Sequence, residues 1–336
     1  MGLKTKPRPT YAEIAKVAGV SEATVSRVLN DDPKVNPDRV ARVQEAVQKL
    51  GYKKHRAASA LASGKSGLIA IVIDDDLSVF ADPFWASVSS GVSKVLMDNE
   101  HQALLLVASV DSVDGPVAHY LQGGEVDGAI FFQLHKDALV RRLTKQGMPV
   151  VIAGTPHSST EFTYVDCDNF GGGLQATKHL FGMGRKNVVT ITGDTLATAG
   201  RQRLEGFMQA YRENGKVAAK KLVGHGDWSL ESGKAQMRAL LASNEDIDGV
   251  FAANDLMAVG AIAVIEEAGL RVPEDIAVIG FDDSVIAQSS RPGLTSVRQD
   301  IVRLGEVVAE LMIKKLAGED VDSVILPTEL VLRESA

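Results

Sequence analysis

The chain has 336 residues, 45% of them apolar, with 36 Lys and Arg against 43 Asp and Glu for a net charge of −7. That length and apolar content allow about two or three buried cores. The single cysteine, Cys167, excludes an internal disulfide framework. The absence of any apolar run of membrane-spanning or signal-peptide length then predicts a soluble cytoplasmic protein.

Charge is unevenly distributed. Residues 1–66 carry 13 Lys and Arg against 6 Asp and Glu, a net +7, whereas 67–336 carry 23 against 37, a net −14. A basic head on an acidic body predicts polyanion binding at one end. Taken alone, a basic terminus is equally well a solvated charged tail, so the pattern within it decides.

Residues 10–30, TYAEIAKVAGVSEATVSRVLN, read as two short helices broken at Gly19-Val20. Thr10 suits the first N-cap, and Ile14, Ala15, Val17 and Ala18 make an apolar face. Gly19 supplies the tight turn and Val20 fills the angle between helices. Ser21 caps the second run, whose Val25, Val28 and Leu29 face inward. Glu22, Ala23, Ser26, Arg27 and Asn30 are left on the outer face, which is the layout of a DNA-binding helix-turn-helix. A third helix begins with Asn36 as cap and Pro37 at N1, carries Val40, Val43, Val47 and Leu50, and stops before Gly51. The segment 53–67, KKHRAASALASGKSG, is small, basic and weakly apolar, and predicts a linker that orders on binding. Its GKS is not a phosphate loop, because the required glycine five residues earlier is Ser59.

Apolar strand-like runs then alternate with amphipathic helical stretches: LIAIVI (68–73), ALLLVA (103–108), GAIFFQ (128–133), VVIAG (150–154), NVVTITG (187–193), LVGHG (222–226), GVFAAN (249–254) and IAVIGFDD (276–283). Continuous apolar strands separated by helices predict parallel sheets covered on both faces. The series resets after about residue 163, which predicts two similar doubly wound lobes. A further strand from Thr295, a helix over 301–316 and a final extended run complete the chain.

Ligands of open parallel sheets bind at the carboxyl ends of strands. Those ends carry Asp74-Asp75-Asp76, Asp194, Asn254-Asp255 and Asp282-Asp283. Carboxylates and amides suit a polyhydroxylated ligand: Asp282 can take two adjacent hydroxyls, and Arg203 offers a planar fork of donors. Trp228 and Phe84-Trp85 present flat faces to the C–H side of a sugar ring. The same residue types are also helix caps and core aromatics, and capping is the better reading for Asp194, Asp255 and Asp283. Gly171-Gly172-Gly173 reads as close packing rather than an anion cradle. The seven histidines show no metal-ligand spacing, and nothing pairs a nucleophile with a base. An enzyme, a metal site and a cofactor are not expected.

Taken together, IAKVAGVSEATVSRVLN, the LGY ending at Tyr52, DPFW, VDCDNFGGG, RQRLEGF, AANDLMAVGA, PEDIAVIGFDD and PTELVLRES occur in order along the chain. With them it resembles the lactose/galactose repressor (LacI/GalR) family of bacterial transcription regulators over essentially its full length. The resemblance implies a small all-α helix-turn-helix head on an α/β two-lobe core like that of periplasmic binding proteins. The implied boundaries are 8–55 for the head, 56–66 for a hinge helix and 67–336 for the core. Within the core they are about 67–163 plus 296–322 for one lobe and 164–295 plus 323–334 for the other.

It also implies a homodimer on a pseudo-palindromic double-stranded DNA operator. Glu22, Ala23 and Arg27 would then reach base edges, with Thr10, Tyr11, Ser21, Thr24, Ser26 and Asn30 on phosphates. His55 and Leu61 would complete the DNA contacts, Leu61 as the hinge leucine wedged into the minor groove. A sugar or glycoside would bind between the lobes on Phe84, Trp85, Arg203, Trp228, Asn254 and Asp282 and control operator affinity. A nucleobase or phosphorylated metabolite in the same cavity, or a solute-binding module without regulation, are the alternatives. The chain departs from the family at Lys54-His55 (often Pro-Asn), Ser59 (often Arg), Asp82 (often Asn) and Gly154-Thr155 (often Asp-Arg).

Overall fold

A computed structural model describes residues 9–30, 32–52, 65–73, 82–107, 114–132, 136–156, 161–244 and 246–336. His55, Leu61, most of the expected hinge helix and Asp74-Asp75-Asp76 lie outside them. The chain divides into two compact units, Met1–Ser66 and Gly67–Ala336.

In the first unit, α1 (Tyr11–Ala18), α2 (Glu22–Leu29) and α3 (Pro37–Leu50) enclose a small core. A capping box between Thr10 and Glu13 starts α1, and Gly19 ends it in the left-handed region at φ 64°. Only glycine adopts that conformation without cost, so the sharp reversal into α2 is built into the sequence. Ile14, Ala18, Val25, Val28, Val43 and Ala46 are buried together. Val17, expected on the inner face, is 45% exposed. At 100° per residue it falls well to one side of the stripe through Tyr11, Ile14 and Ala18.

The second unit holds two six-stranded sheets. The first contains β1 (Leu68–Ile73), β2 (Gln102–Val107), β3 (Gly128–Phe132), β4 (Val150–Ala153), β5 (Tyr164–Cys167) and β11 (Val324–Leu326), in the order β11-β5-β4-β3-β1-β2. The second contains β6 (Val188–Thr192), β7 (Val223–His225), β8 (Gly249–Ala252), β9 (Ala277–Asp282), β10 (Thr295–Gln299) and β12 (Thr328–Val331), in the order β12-β10-β9-β8-β6-β7. All ladders are parallel except β10–β12. Helices α4 (Pro83–Asp98), α5 (Pro116–Gln122), α6 (Ala138–Lys145) and α12 (Ile301–Leu316) pack on the first sheet. The second sheet carries α7 (Asn169–Gly182), α8 (Thr198–Glu213), α9 (Leu230–Ser243), α10 (Asp255–Glu267) and the short α11 (Val285–Ser289).

These ladders correct the expected lobe boundaries. Tyr164 pairs with Ile152 and Val165 with Ala153, so β5 belongs to the first lobe, not the second. β10 pairs with β9 and β12, which puts 296–299 in the second lobe. β11 pairs with β5 in the first. The chain therefore crosses between lobes just after Cys167, Gln299 and Leu326. The cause is physical: YVDC is too short and too polar to show as an apolar run, and a strand that precedes a crossover has no pattern of its own. Among the described residues no helix is long and apolar enough to cross a membrane.

Candidate functional site

A cavity of about 260 Å³ opens between the two lobes at the carboxyl ends of their strands. The first lobe contributes Asp82, Phe84 and Trp85 from the start of α4, Phe132 from the end of β3, Gly154-Thr155 after β4, and Asp166 from β5. The second contributes Arg203 from α8, Trp228 from the turn after β7, Asn254 after β8, Asp282 from the end of β9 and Gln299 from the end of β10. All six residues expected to bind the effector thus line one space.

Arg203 is 4% exposed. Its Nε donates to Asn169 Oδ1 at 2.8 Å and its Nη1 to the carbonyl of Ala253 at 2.5 Å. Nη1 also lies 3.6 Å from Asp282 Oδ1, and the guanidinium stacks 3.6 Å above the Phe281 ring. The helix bearing it is held unusually close to α7: a Cβ on Gly173 would sit 2.4 Å from the carbonyl of Arg203, and one on Gly206 2.3 Å from that of Phe170. Close packing is therefore what the glycine triplet supplies.

Asp282 also accepts from Gln299 Nε2 at 2.5 Å. Burial pushes its carboxyl well above the usual carboxylate range, with Arg203 pulling the other way and Asp255 and Asp82 adding repulsion. Taking the carboxylate out of water costs more than one guanidinium at 3.6 Å returns. Asp82 and Asp166 are likewise raised by burial. A ligand that brings hydroxyl donors would relieve that cost, because hydrogen bonds to the ionised form favour it.

Trp228 takes a left-handed backbone, φ 73°. Its ring packs so tightly on Gly193 that a Cβ there would come within 2.3 Å of three ring carbons. Its indole N–H is buried with no acceptor among the described residues. Asn254, expected to face the ligand, spends its side chain on protein instead: Oδ1 accepts from the N–H of Met257 at 2.9 Å as the cap of α10, and Nδ2 donates to the Trp228 carbonyl at 2.8 Å. It positions the tryptophan. Asn254→Ala is expected to cost about 1–2 kcal/mol through the lost cap and to release the Trp228 turn, measurable as a lower melting temperature with altered tryptophan emission. Trp85, read as a sugar face, is 7% exposed and packs edge-on against Phe84 at 5.2 Å and Phe132 at 5.7 Å, so it serves the core and the cavity wall together.

Phe132, Asp166 and Gln299 escaped the sequence reading, and Asp82 and Thr155 entered it only as departures from the family. Where Gly154-Thr155 replaces the frequent Asp-Arg, Thr155 donates its N–H and its hydroxyl to Asp166 Oδ2, both at 2.8 Å. Asp82 caps α4 through Phe84 N at 2.9 Å, and its capping pattern before Pro83 was the legible signal.

The capping reading of the remaining strand-end acids is corrected by their contacts: Ala197, Asn254 and Ser284 hold the N-cap positions, and the three acids bond other groups. Asp194 Oδ1 accepts from the N–H of Leu196 at 2.8 Å. Asp283 binds Arg298 Nε at 2.7 Å and also Arg333. Asp255 accepts from Ser296 Oγ at 2.6 Å and from the N–H of Ser284 at 2.7 Å. Burial pushes Asp255 up to about 7, against about 4 for an unfolded chain. Folding thus favours its protonated form: the contribution to stability is complete below about pH 4 and is lost as pH rises towards 7. Asp255→Asn should flatten that slope, by up to about 4 kcal/mol over the interval, in thermal melts at stepped pH. An unchanged slope would mean that Asp255 ionises freely.

In the head, Ser21, Glu22, Ala23, Arg27 and Asn30 are exposed, and Thr24 and Ser26 half-buried. No described side chain bonds Glu22 or Arg27. Ser21 Oγ caps α2, lying 3.2 Å from the N–H of Thr24 and 2.9 Å from its hydroxyl. Thr10 donates its N–H to Glu13 Oε2 at 2.7 Å. Tyr11 packs edge-on against Tyr52 at 5.9 Å. The first turn of α2 thus stands on the exposed side of the head, with the N–H of Thr24 capped by Ser21.

Residues 10–55 match the bacterial regulatory proteins, lacI family, and 177–336 the periplasmic binding protein-like domain. The chain is 38% identical to the HTH-type transcriptional regulator CelR of Thermobifida fusca over 339 residues, 99% of this chain and 100% of that one. It is 31% identical to the catabolite control protein A of Priestia megaterium, over 97% and 98% of the two chains. Among solved structures, a transcriptional regulator CelR-cellobiose complex superimposes with a TM-score of 0.75 at 37% identity, covering 98% of this chain and 100% of that one. The lac repressor dimer bound to operator and the anti-inducer ONPF gives 0.87 at 26% identity, covering 98% and 99%.

Proposed function

The chain belongs to the LacI family of bacterial regulatory proteins, and from that membership we propose that it is a sequence-specific transcriptional regulator, a repressor, whose operator affinity is set by a β-linked glucose disaccharide of the cellobiose type. It works as a homodimer on a pseudo-palindromic operator in the cytoplasm. The observation that carries this reading is the cavity: buried carboxylates and one guanidinium at the strand ends, walled by Trp228, Phe84 and Trp85. Carboxylates accept from sugar hydroxyls, the guanidinium donates to them, and aromatic faces cover the C–H side of the rings. The full-length similarity to CelR of Thermobifida fusca and to the structure of a CelR-cellobiose complex supports a disaccharide.

Arg203, Asp282 and Gln299 would orient the hydroxyls, with Asn254 holding Trp228 against the ring. Asp282 and Gln299 sit at the end of β9 and just before a crossover between lobes, so a ligand drawn onto them biases lobe closure. Such a bias shifts operator affinity by about 1–3 kcal/mol in coupled systems. Glu22, Ala23 and Arg27 would read bases, and Thr10, Tyr11, Ser21, Thr24, Ser26 and Asn30 would hold phosphates.

The chain has two tryptophans, Trp85 and Trp228, and both line the cavity. Intrinsic fluorescence titrated with cellobiose, other disaccharides, monosaccharides and purines therefore reports occupancy directly. A saturable change with a glucose disaccharide alone supports the reading, whereas saturation by a purine would move the effector to another class.

A further inference from the structure

We propose that Asp82 determines the charge selectivity of the cavity, restricting the effector to uncharged glycosides and rejecting sugars that carry a phosphate or carboxylate; this rests on the cavity being the effector site. Four carboxylates line it, Asp82, Asp166, Asp227 and Asp282, and among the described residues Arg203 is the one cation. That cation is already engaged, by Asn169, the Ala253 carbonyl and Asp282. Among the described residues an entering anion meets no cation that is not already paired.

The four carboxylates differ in what compensates them. Asp166 accepts from the N–H and hydroxyl of Thr155, the N–H of Cys167 and Asn169 Nδ2. Asp282 has Arg203 and Gln299. Asp227 stands at the exposed mouth, where its carboxylate is bonded to the turn at Ser229. Asp82 accepts from the N–H of Phe84 at 2.9 Å, and the Asn254 side chain and Arg203 on the opposite lobe also draw its carboxyl down, while its charge is felt by Asp282 there. It is half-buried, has fewer hydrogen-bond donors than Asp166, the other carboxylate of the first lobe, and faces the second lobe across the space a ligand must fill. A hydroxyl donor is attracted there and a second anion is repelled. Asparagine caps a helix as well as aspartate does but lacks the charge.

The test compares wild type with Asp82→Asn and Asp82→Ser, both of which preserve a capping side chain. Tryptophan fluorescence is titrated with cellobiose, cellobiouronic acid and cellobiose 6′-phosphate in mildly alkaline buffer. Wild type should bind cellobiose and discriminate against both anions. In the two variants the ratio of anion to cellobiose affinity should rise by about tenfold or more, the effect of removing one nearby like charge, with melting temperature essentially unchanged. A ratio unaltered in both variants, or a wild type that takes the anions as readily as cellobiose, overturns the proposal. A wild type that binds no glycoside at all overturns the effector reading itself, and this inference with it.

Discussion

Arg203→Ala is expected to abolish effector binding, weakening it by about a hundredfold or more, and to destabilise the two-lobed unit by about 3–5 kcal/mol. The guanidinium is 4% exposed and joins Asn169, the Ala253 carbonyl, Asp282 and the Phe281 ring. Removing it leaves Asp282 buried without its counter-charge, so the loss is larger than that of one hydrogen bond. Asp282→Asn separates the two effects. It keeps the shape and an acceptor for Gln299 but removes the buried charge, so it should hold or raise the melting temperature while still losing effector affinity. Both variants should bind operator as wild type does in the absence of effector. An undiminished effector response in either would show that the ligand sits elsewhere.

The second large effect lies in the head. Arg27 is exposed on the outer face of α2 and bonds no described side chain, so it is free to make a bidentate contact with a guanine edge. Arg27→Ala should cost about 1–3 kcal/mol at each half-site, and a dimer has two. Arg27→Lys is the sharper probe. It keeps the positive charge, so affinity for random DNA should stay near wild type, but a single ammonium cannot reproduce the planar fork. Specific binding should therefore fall while non-specific binding does not, in titrations at fixed salt. If lysine restores specific affinity, Arg27 touches phosphate rather than base.

How far these sites could be read from sequence depends on how local their causes are. Gly19, Gly51, the Thr10–Glu13 box and the Asn36-Pro37 start are neighbours in the chain, and the three head helices follow from them directly. The helix Ile301–Leu316 was equally legible, because a long amphipathic period needs no partner to be recognised. β5 was not: what assigns YVDC to the first sheet is its pairing with Ile152 and Ala153, which no local pattern carries. The cavity shows the same division. Trp228 and Asp282 were within reach because they follow or end strands of a parallel sheet, and Arg203, on helix α8, because the motif RQRLEGF marks it. Asp82 reads as a helix cap, which it is, and its second role appears only when the opposite lobe brings Arg203 within range. Gln299 matters because it ends the strand next to Asp282, a fact of register rather than of sequence. Asn254 lines the cavity, but its amide caps α10 and holds the Trp228 carbonyl, since an amide at a strand end serves a cap as readily as a ligand.

The decisive experiment is fluorescence anisotropy of a labelled palindromic operator, taken from the DNA upstream of the gene cluster that encodes this chain. The protein is titrated at fixed salt with and without cellobiose at a concentration that saturates the tryptophan signal. Operator affinity should shift between the two curves by about fivefold to a hundredfold, and Asp282→Asn should erase the shift without altering the sugar-free curve. Superimposable curves for wild type, with the sugar demonstrably bound, would mean that the cavity and the DNA-binding head are not coupled through this ligand.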